Sequence, residues 1–184
     1  MTNPLRLGIA GLGTVGTGTV KIVEKHAEML TRRTGRPISI SAVSARSRKR
    51  DRGIDLTPYA WEDDPVALAK RDDVDVFIEL MGGENGPAKA SVEAAIAAGK
   101  HVVTANKAML AVHGQALAEA AEAKNVSLRF EAAVAGAIPA IKVLSESLAG
   151  NRILRVMGVM NGTCNYILTR MENGDSFGEA VRHC

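Results

Sequence analysis

The stretch LRLGIAGLGTVG, residues 5–16, joins a short apolar run to a glycine-rich turn. Such a run is typical of a buried parallel strand. The glycines that follow, Gly11, Gly13 and Gly16, form a G-x-G-x-x-G pattern. Apolar residues then recur at helical spacing, and the glycine and proline in residues 35–37 are expected to end that helix. A strand, this turn and a helix in that order predict a dinucleotide-binding site.

The glycines of this turn have separate expected roles. Gly11 permits the tight turn, Gly13 lets the backbone approach a pyrophosphate, and Gly16 lets the helix pack closely on the strand. The helix N-terminus offers free N–H groups and a partial positive charge to the phosphates. A turn with a purely structural role is the alternative.

Strand and helix patterns alternate along the following chain. Further strands are expected at residues 38–45, 74–80, 101–104 and 126–131. The helix after the fourth strand is expected to run to about residue 124, with an interruption near Gly114. This alternation predicts an α/β fold with a Rossmann-type, doubly wound parallel sheet.

The pattern changes after about residue 134. We divide the chain into a dinucleotide-binding domain, residues 1–135, and the start of a second structural unit, residues 136–184. In the second part we expect a helix over residues 139–148, a strand over 152–160 and a helix through residue 171.

The last residues contain the start of a further helix. Ser176 and Glu179 form an S-x-x-E capping box, and the apolar face that follows has only begun at residue 184. We therefore expect the chain to be truncated at its C-terminal end.

Composition excludes several classes of protein. The 184 residues are 46% hydrophobic and 23% charged, with a mean hydropathy of +0.02, which excludes a membrane protein and a disordered chain. Aromatic residues make up only 3%, and the net charge is +3. Scarce aromatics and one local basic cluster do not fit a nucleic-acid-binding protein. Two cysteines without a paired framework favour the cytoplasm.

The end of the second strand indicates which dinucleotide is bound. An NAD site places an acid there to accept from the ribose 2′-hydroxyl, but residues 44–49 read SARSRK and contain none. Arg46, with Ser44, Arg48 or Lys49 as further candidates, would instead neutralise a 2′-phosphate. This favours NADP, with NAD possible; a solvated basic turn is the alternative.

A lysine follows the fourth strand, at the sheet edge where ligands gather in such folds. Lys107 closes the segment TANK at residues 104–107. Its ammonium group would bind a carboxylate, orient the cofactor or donate a proton to a developing alkoxide. A surface lysine at the start of a helix is the alternative.

Several segments together resemble a known family. They are GIAGLGTVG at 8–16, ELMGG at 79–83, HVVTANKAMLA at 101–111, FEAAVAGAIP at 130–139 and NRILRVMGVMNGTCNYILTRM at 151–171. In this order they resemble homoserine dehydrogenase. The resemblance implies NAD(P)-dependent interconversion of L-homoserine and L-aspartate 4-semialdehyde, on the route to threonine, methionine and isoleucine. It also implies a homodimer in the full-length protein, with residues 136–184 as the incomplete start of an α+β substrate-binding and dimerisation region.

The resemblance implies roles for residues around the cofactor. Leu12, Thr14 and Val15 would hold the dinucleotide through their backbone, with Arg46 near the adenosine end.

Four further residues would lie near the reacting groups. Thr104 and Lys107 would be near the nicotinamide, and Lys107 would also face the substrate as a catalytic residue. Gly162 would approach the cofactor and Thr163 the substrate; a plain helix N-cap is the alternative for Thr163.

The resemblance also implies a monovalent-cation loop. Glu131, Val134, Gly136 and Ile138 would supply oxygen ligands, largely backbone carbonyls, to a sodium or similar ion. The family's substrate-binding acids and proton-donating lysine have no counterpart in these 184 residues, so we expect little turnover from this chain. The alternatives are an NADP-binding module without turnover, or another semialdehyde reductase, for which Cys164 is the only internal candidate nucleophile. For Cys164 itself we favour a small core residue.

Overall fold

The computed structural model describes residues 3–158 and 161–184. The chain divides into two units, Met1–Ser145 and Glu146–Cys184. The first unit contains the following strands and helices in chain order: β1 Leu5–Ala10, α1 Thr14–Lys25, α2 Ala27–Thr34, β2 Ile38–Ser44, β3 Ala60–Glu62, α3 Pro65–Lys70, β4 Val76–Glu79, α4 Pro87–Ala97, β5 His101–Thr104, α5 Lys107–Ala123, β6 Leu128–Arg129, α6 Glu131–Val134 and α7 Ala140–Lys142.

All six strands form one parallel sheet in the order β3-β2-β1-β4-β5-β6. The chain builds outward from β1 to β3, then returns past β1 to β4 and continues in the other direction. This is the predicted doubly wound arrangement, and it is confirmed. The direction changes between β1 and β4, so their carboxyl ends border the crevice where such sheets bind ligands.

Each face of the sheet buries its own apolar cluster because neighbouring side chains on a strand point to opposite faces. On one face, Ile9 packs with Val20 of α1. On the other, Phe77 packs with Val92 of α4 and Leu117 of α5. Aliphatic residues and alanines fill most of both clusters, as the scarcity of aromatic residues requires.

Several predicted elements differ in extent from the observed ones. The first predicted helix is two helices that meet at His26, although Gly35 ends the second in the left-handed region as expected (φ 69°). Helix α5 runs unbroken through Gly114, so the predicted interruption is wrong. One glycine costs a helix only about 1 kcal/mol, and alanine, the best helix former, recurs through the rest of α5. The last strand of the sheet is only Leu128–Arg129, and Glu131 begins a helix.

The second unit contains α8, Gly162–Glu172, and α9, Phe177–Arg182. The strand expected over 152–160 is wrong for residues 152–157, which pair with no strand in the described chain and therefore lack the hydrogen bonds that define one. Residues 159–160 lie outside the described residues. The helix expected over 139–148 is α7 followed by a π-helical turn, Val143–Ser147. The predicted capping box of Ser176 and Glu179 is confirmed.

A carboxylate fixes the start of β1 to the turn before β4. Asp75 accepts hydrogen bonds from the Arg6 backbone N–H at 2.9 Å and from its guanidinium at 2.7 and 3.1 Å, with Arg36 3.8 Å away. The Arg6 side chain is the main reason that the pKa of Asp75 is lowered to about 2.

We expect this contact to make stability depend on pH. The pKa of Asp75 is lower in the folded than in the unfolded chain. The contribution of Asp75 to the free energy of unfolding is therefore complete above about pH 4 and is lost as the pH falls toward 2. Both side chains are partly exposed, so we expect about 1 kcal/mol. Between pH 5 and pH 3, the free energy of unfolding measured with urea should fall less for Asp75→Asn than for the parent chain. The exposed neighbour substitution Asp72→Asn is the control, and an unchanged drop in Asp75→Asn would contradict this account.

Candidate functional site

The turn between β1 and α1 requires glycine at two positions. Gly11 has a φ of +100°, and a Cβ there would lie 2.5 Å from the Leu80 carbonyl oxygen at the end of β4. A Cβ on Gly16 would lie 1.9 Å from the Gly11 carbonyl oxygen. The Gly11 N–H donates to the Ser44 carbonyl at 2.9 Å. The backbone of β1, the turn and α1 is therefore packed as closely as the sequence predicts.

Gly13 is in a different situation. It precedes α1 with a φ of −81°, and a Cβ there would meet no atom of the described residues within 4 Å. No side chain in residues 3–158 or 161–184 caps this helix, and its first turn carries no acid. Gly13, Thr14 and Val15 are exposed. Uncapped N–H groups and a helix dipole beside open space are the features of an anion site, and they fit a pyrophosphate.

A buried polar network lies next to this turn, at the ends of β4 and β5. Glu79 is fully buried, and its carboxylate accepts from the Thr104 hydroxyl at 2.6 Å and from the N–H groups of Met81 and Gly82 at 2.7 and 3.1 Å. The Thr104 hydroxyl in turn accepts from the Asn106 N–H at 3.0 Å. These bonds fix the loops after the two strands relative to each other.

The network also positions the predicted catalytic lysine. Asn106 caps α5 by accepting from the Met109 N–H at 3.1 Å, and its amide nitrogen donates to the Gly83 carbonyl at 2.6 Å. Lys107 is the first residue of α5 and is exposed. Its backbone is therefore rigidly placed while its side chain is in solvent. The hydroxyl of Thr104 is engaged within the protein, and its contact with a nicotinamide stays a prediction.

The basic residues after β2 form an exposed loop beside the glycine turn. Ser44 ends β2 and is buried, whereas Arg46, Arg48 and Lys49 are exposed. Arg52 joins this loop to the turn, because its Nε donates to the Leu12 carbonyl at 3.1 Å. Leu12 itself is buried.

Glu131, in the segment predicted to hold a cation, has a structural role. Both oxygens of Glu131 accept backbone N–H groups, from Ile141 and Lys142, at 2.8 Å each. The carbonyls of Glu131 and Ile138 accept the N–H groups of Ala135 and Ala140. Within residues 3–158 and 161–184, no three His, Cys, Asp or Glu side chains cluster as a metal site would. The sodium site stays a prediction.

The second unit places Gly162 and Thr163 at the start of α8. The cap is Asn161, whose side chain accepts from the Cys164 N–H at 2.8 Å. The N-cap role considered for Thr163 is therefore wrong, because asparagine two positions earlier fulfils it. Cys164 is exposed, so it is not a core residue either.

Three site residues were not identified from the sequence: Glu79, Asn106 and Arg52. An acid inside the apolar strand VDVFIEL was a usable signal for Glu79, since a charge on a buried strand needs hydrogen-bond partners. Asn before the predicted helix was a usable signal for a cap. Nothing in the local sequence separates Arg52 from the other arginines of its loop.

Comparisons with known proteins agree with this geometry. The family model "Homoserine dehydrogenase, NAD binding domain" matches residues 11–131, and the model "Homoserine dehydrogenase" matches residues 139–184. The chain belongs to the homoserine dehydrogenase family. The predicted family is thereby confirmed, together with a nicotinamide-dinucleotide-binding domain.

Relatives in this family extend well beyond the chain. The homoserine dehydrogenase of Neisseria gonorrhoeae is 47% identical over 180 residues, which are 97% of this chain and 41% of that protein. The crystal structure of a homoserine dehydrogenase from Thiobacillus denitrificans matches with a TM-score of 0.85 at 40% identity, over 98% of this chain and 42% of that one. A Staphylococcus aureus homoserine dehydrogenase structure matches with a TM-score of 0.79 at 34% identity, over 100% of this chain and 42% of that one. The chain spans about two fifths of the length of these family members.

Helices in residues 3–158 and 161–184 are all too short or too polar to cross a bilayer.

Proposed function

We propose that this chain binds NADP as the cofactor-binding part of an enzyme that interconverts L-homoserine and L-aspartate 4-semialdehyde. The observation that carries the proposal is the open space at Gly13 beside the uncapped first turn of α1. Backbone N–H groups there would bind the pyrophosphate through Leu12, Thr14 and Val15. The bound cofactor would exchange a hydride with the substrate carbon.

The preference for NADP rests on the exposed basic loop. Arg46 lies two residues beyond β2, where an NAD site would carry an acid. A guanidinium binds phosphate with paired, charge-assisted hydrogen bonds, and Arg46 would hold the 2′-phosphate in this way.

On the substrate side, Lys107 would orient the nicotinamide and the substrate, supported by its rigid place at the start of α5. Thr104 would lie near the nicotinamide, and by the family resemblance Gly162 would approach the cofactor and Thr163 the substrate. We propose a cytoplasmic, homodimeric enzyme as its setting.

A monovalent cation is part of the same proposal. Glu131, Val134, Gly136 and Ile138 lie within eight residues and would offer oxygen donors only, which suit a hard cation such as sodium. Its effect would be to hold the turn that leads into α7. The carboxylate of Glu131 already supports that turn through two hydrogen bonds.

We expect the 184-residue chain to bind NADPH but to oxidise L-homoserine at a negligible rate. The oxidation has to remove the hydroxyl proton, general acid–base catalysis contributes about 10²–10⁴-fold in rate, and the family's proton-transferring lysine has no counterpart in these 184 residues. Fluorescence titrations with NADPH and NADH, beside a homoserine turnover assay, measure both. Saturable binding without turnover is the expected result, and robust turnover would contradict the expected loss of activity. Absence of binding would overturn the cofactor assignment.

We expect Arg46→Ala to weaken NADPH binding about tenfold and NADH binding much less, since one charge-assisted hydrogen bond contributes about 1.5–3 kcal/mol. Arg33→Ala is the control, because it removes the same charge from an exposed position in α2. Equal losses for NADPH and NADH would remove the 2′-phosphate role of Arg46.

A further inference from the structure

Arg52 directs its guanidinium at three backbone carbonyls from two loops. Its Nε donates to Leu12 in the glycine turn at 3.1 Å. Its two terminal nitrogens donate to Arg50 at 2.8 Å and to Ser47 at 2.6 Å. The side chain is partly buried, unlike those of residues 46–50, which are exposed.

These contacts counter the repulsion within the basic loop. Arg46, Arg48, Lys49 and Arg50 carry like charges within five residues, and the whole segment from 45 to 59 contains no strand or helix. Like charges in an irregular loop favour separation and motion. The Arg52 guanidinium opposes this motion because it binds two carbonyls of the same loop. Its planar arrangement of N–H donors is rigid, so little side-chain entropy is lost when these hydrogen bonds form.

The aromatic ring of Trp61 adds a second anchor. The Arg52 guanidinium carbon lies 5.9 Å from the centre of the ring, and that of Arg48 lies 6.0 Å away. Both distances are within the range of cation–π attraction. The ring is itself fixed in β3, where its N–H donates to Asp63 at 2.7 Å. The basic loop is therefore attached both to the sheet edge and to the glycine turn.

We propose that Arg52 is a positioning residue that sets the selectivity for the 2′-phosphorylated dinucleotide by holding the basic loop at a fixed place beside the glycine turn. This inference rests on the proposed NADP binding. Each of the three guanidinium nitrogens of Arg52 donates to a backbone carbonyl, so Arg52 acts through the placement of Arg46 and its neighbours. A dinucleotide without the 2′-phosphate uses the glycine turn alone and should depend on Arg52 far less.

Arg52→Lys separates the effect of hydrogen-bond geometry from that of charge. Lysine keeps the positive charge, but its single ammonium group cannot replace the planar guanidinium that reaches three carbonyls. We expect Arg52→Lys and Arg52→Ala each to weaken NADPH binding about tenfold and NADH binding less than about threefold, in fluorescence titrations with these two ligands. Arg33→Ala is the matched control for loss of one charge. Parent-like NADPH affinity in Arg52→Lys, or equal losses for both ligands in Arg52→Ala, would overturn the proposal.

Amide hydrogen exchange in the unliganded protein gives a readout that needs no dinucleotide. We expect faster exchange in residues 46–53 of Arg52→Lys, with the exchange of β4 and β5 unchanged. Unchanged exchange in residues 46–53 would overturn the holding role. If the parent chain binds neither dinucleotide, the proposed function and the selectivity both fail, and exchange alone decides whether Arg52 holds the two loops.

Discussion

Gly16→Ala is expected to destabilise the protein by about 3 kcal/mol or more, the upper range for overpacking a rigid site. The new Cβ would lie 1.9 Å from the carbonyl oxygen of Gly11. Neither backbone can easily retreat, because Gly11 is itself packed against Leu80 and its N–H is bonded to Ser44. The free energy of unfolding, measured by urea titration at pH 7, tests this expectation.

The same helix contains a matched control. Gly18 lies two residues further along α1, and a Cβ there would meet no atom within 4 Å. Alanine is a better helix former than glycine by about 1 kcal/mol, so Gly18→Ala should leave stability unchanged or raise it. If Gly16→Ala were as stable as Gly18→Ala, the close packing of α1 on the turn would be refuted.

Gly13→Ala is expected to have the opposite profile, with the fold intact and the cofactor lost. Its φ of −81° suits alanine, and the added Cβ has free space in the protein. That space is where the pyrophosphate would approach the backbone. We expect NADPH affinity to fall about 100-fold, equivalent to about 2.7 kcal/mol, in a fluorescence titration at constant temperature.

Gly18→Ala serves again as the control, now for binding. It should bind NADPH as the parent chain does, since it adds the same methyl group one turn away from the candidate site. Parent-like affinity in Gly13→Ala would mean that no pyrophosphate approaches this glycine. A loss of stability in Gly13→Ala would instead place an unrecognised contact at that position.

Much of the first unit could be predicted from the sequence because its signals are local. The G-x-G-x-x-G spacing follows from backbone contacts of the turn itself, and the apolar strands follow from burial on both faces of a parallel sheet. The capping box at Ser176 likewise depends on residues only three positions apart.

The remaining features depend on contacts between distant residues. Strand β3 has only three residues and forms through its pairing with β2. No local sequence pattern predicts that pairing. Residues 152–157 have the composition of a strand, but composition supplies no partner. Glu131 was expected at a strand end and instead holds the backbone of Ile141 and Lys142, ten and eleven residues away. Arg52 reaches Leu12 across forty residues.

Residue-resolved NMR of the uniformly ¹⁵N-labelled chain during titration with NADPH tests the central claim most directly. We expect saturable shifts of the backbone amides of Gly13, Thr14 and Val15, with the Arg46 amide shifting for NADPH and much less for NADH. Saturable shifts that leave all three of these amides unchanged, or no shifts at all, would contradict a dinucleotide site at the glycine turn.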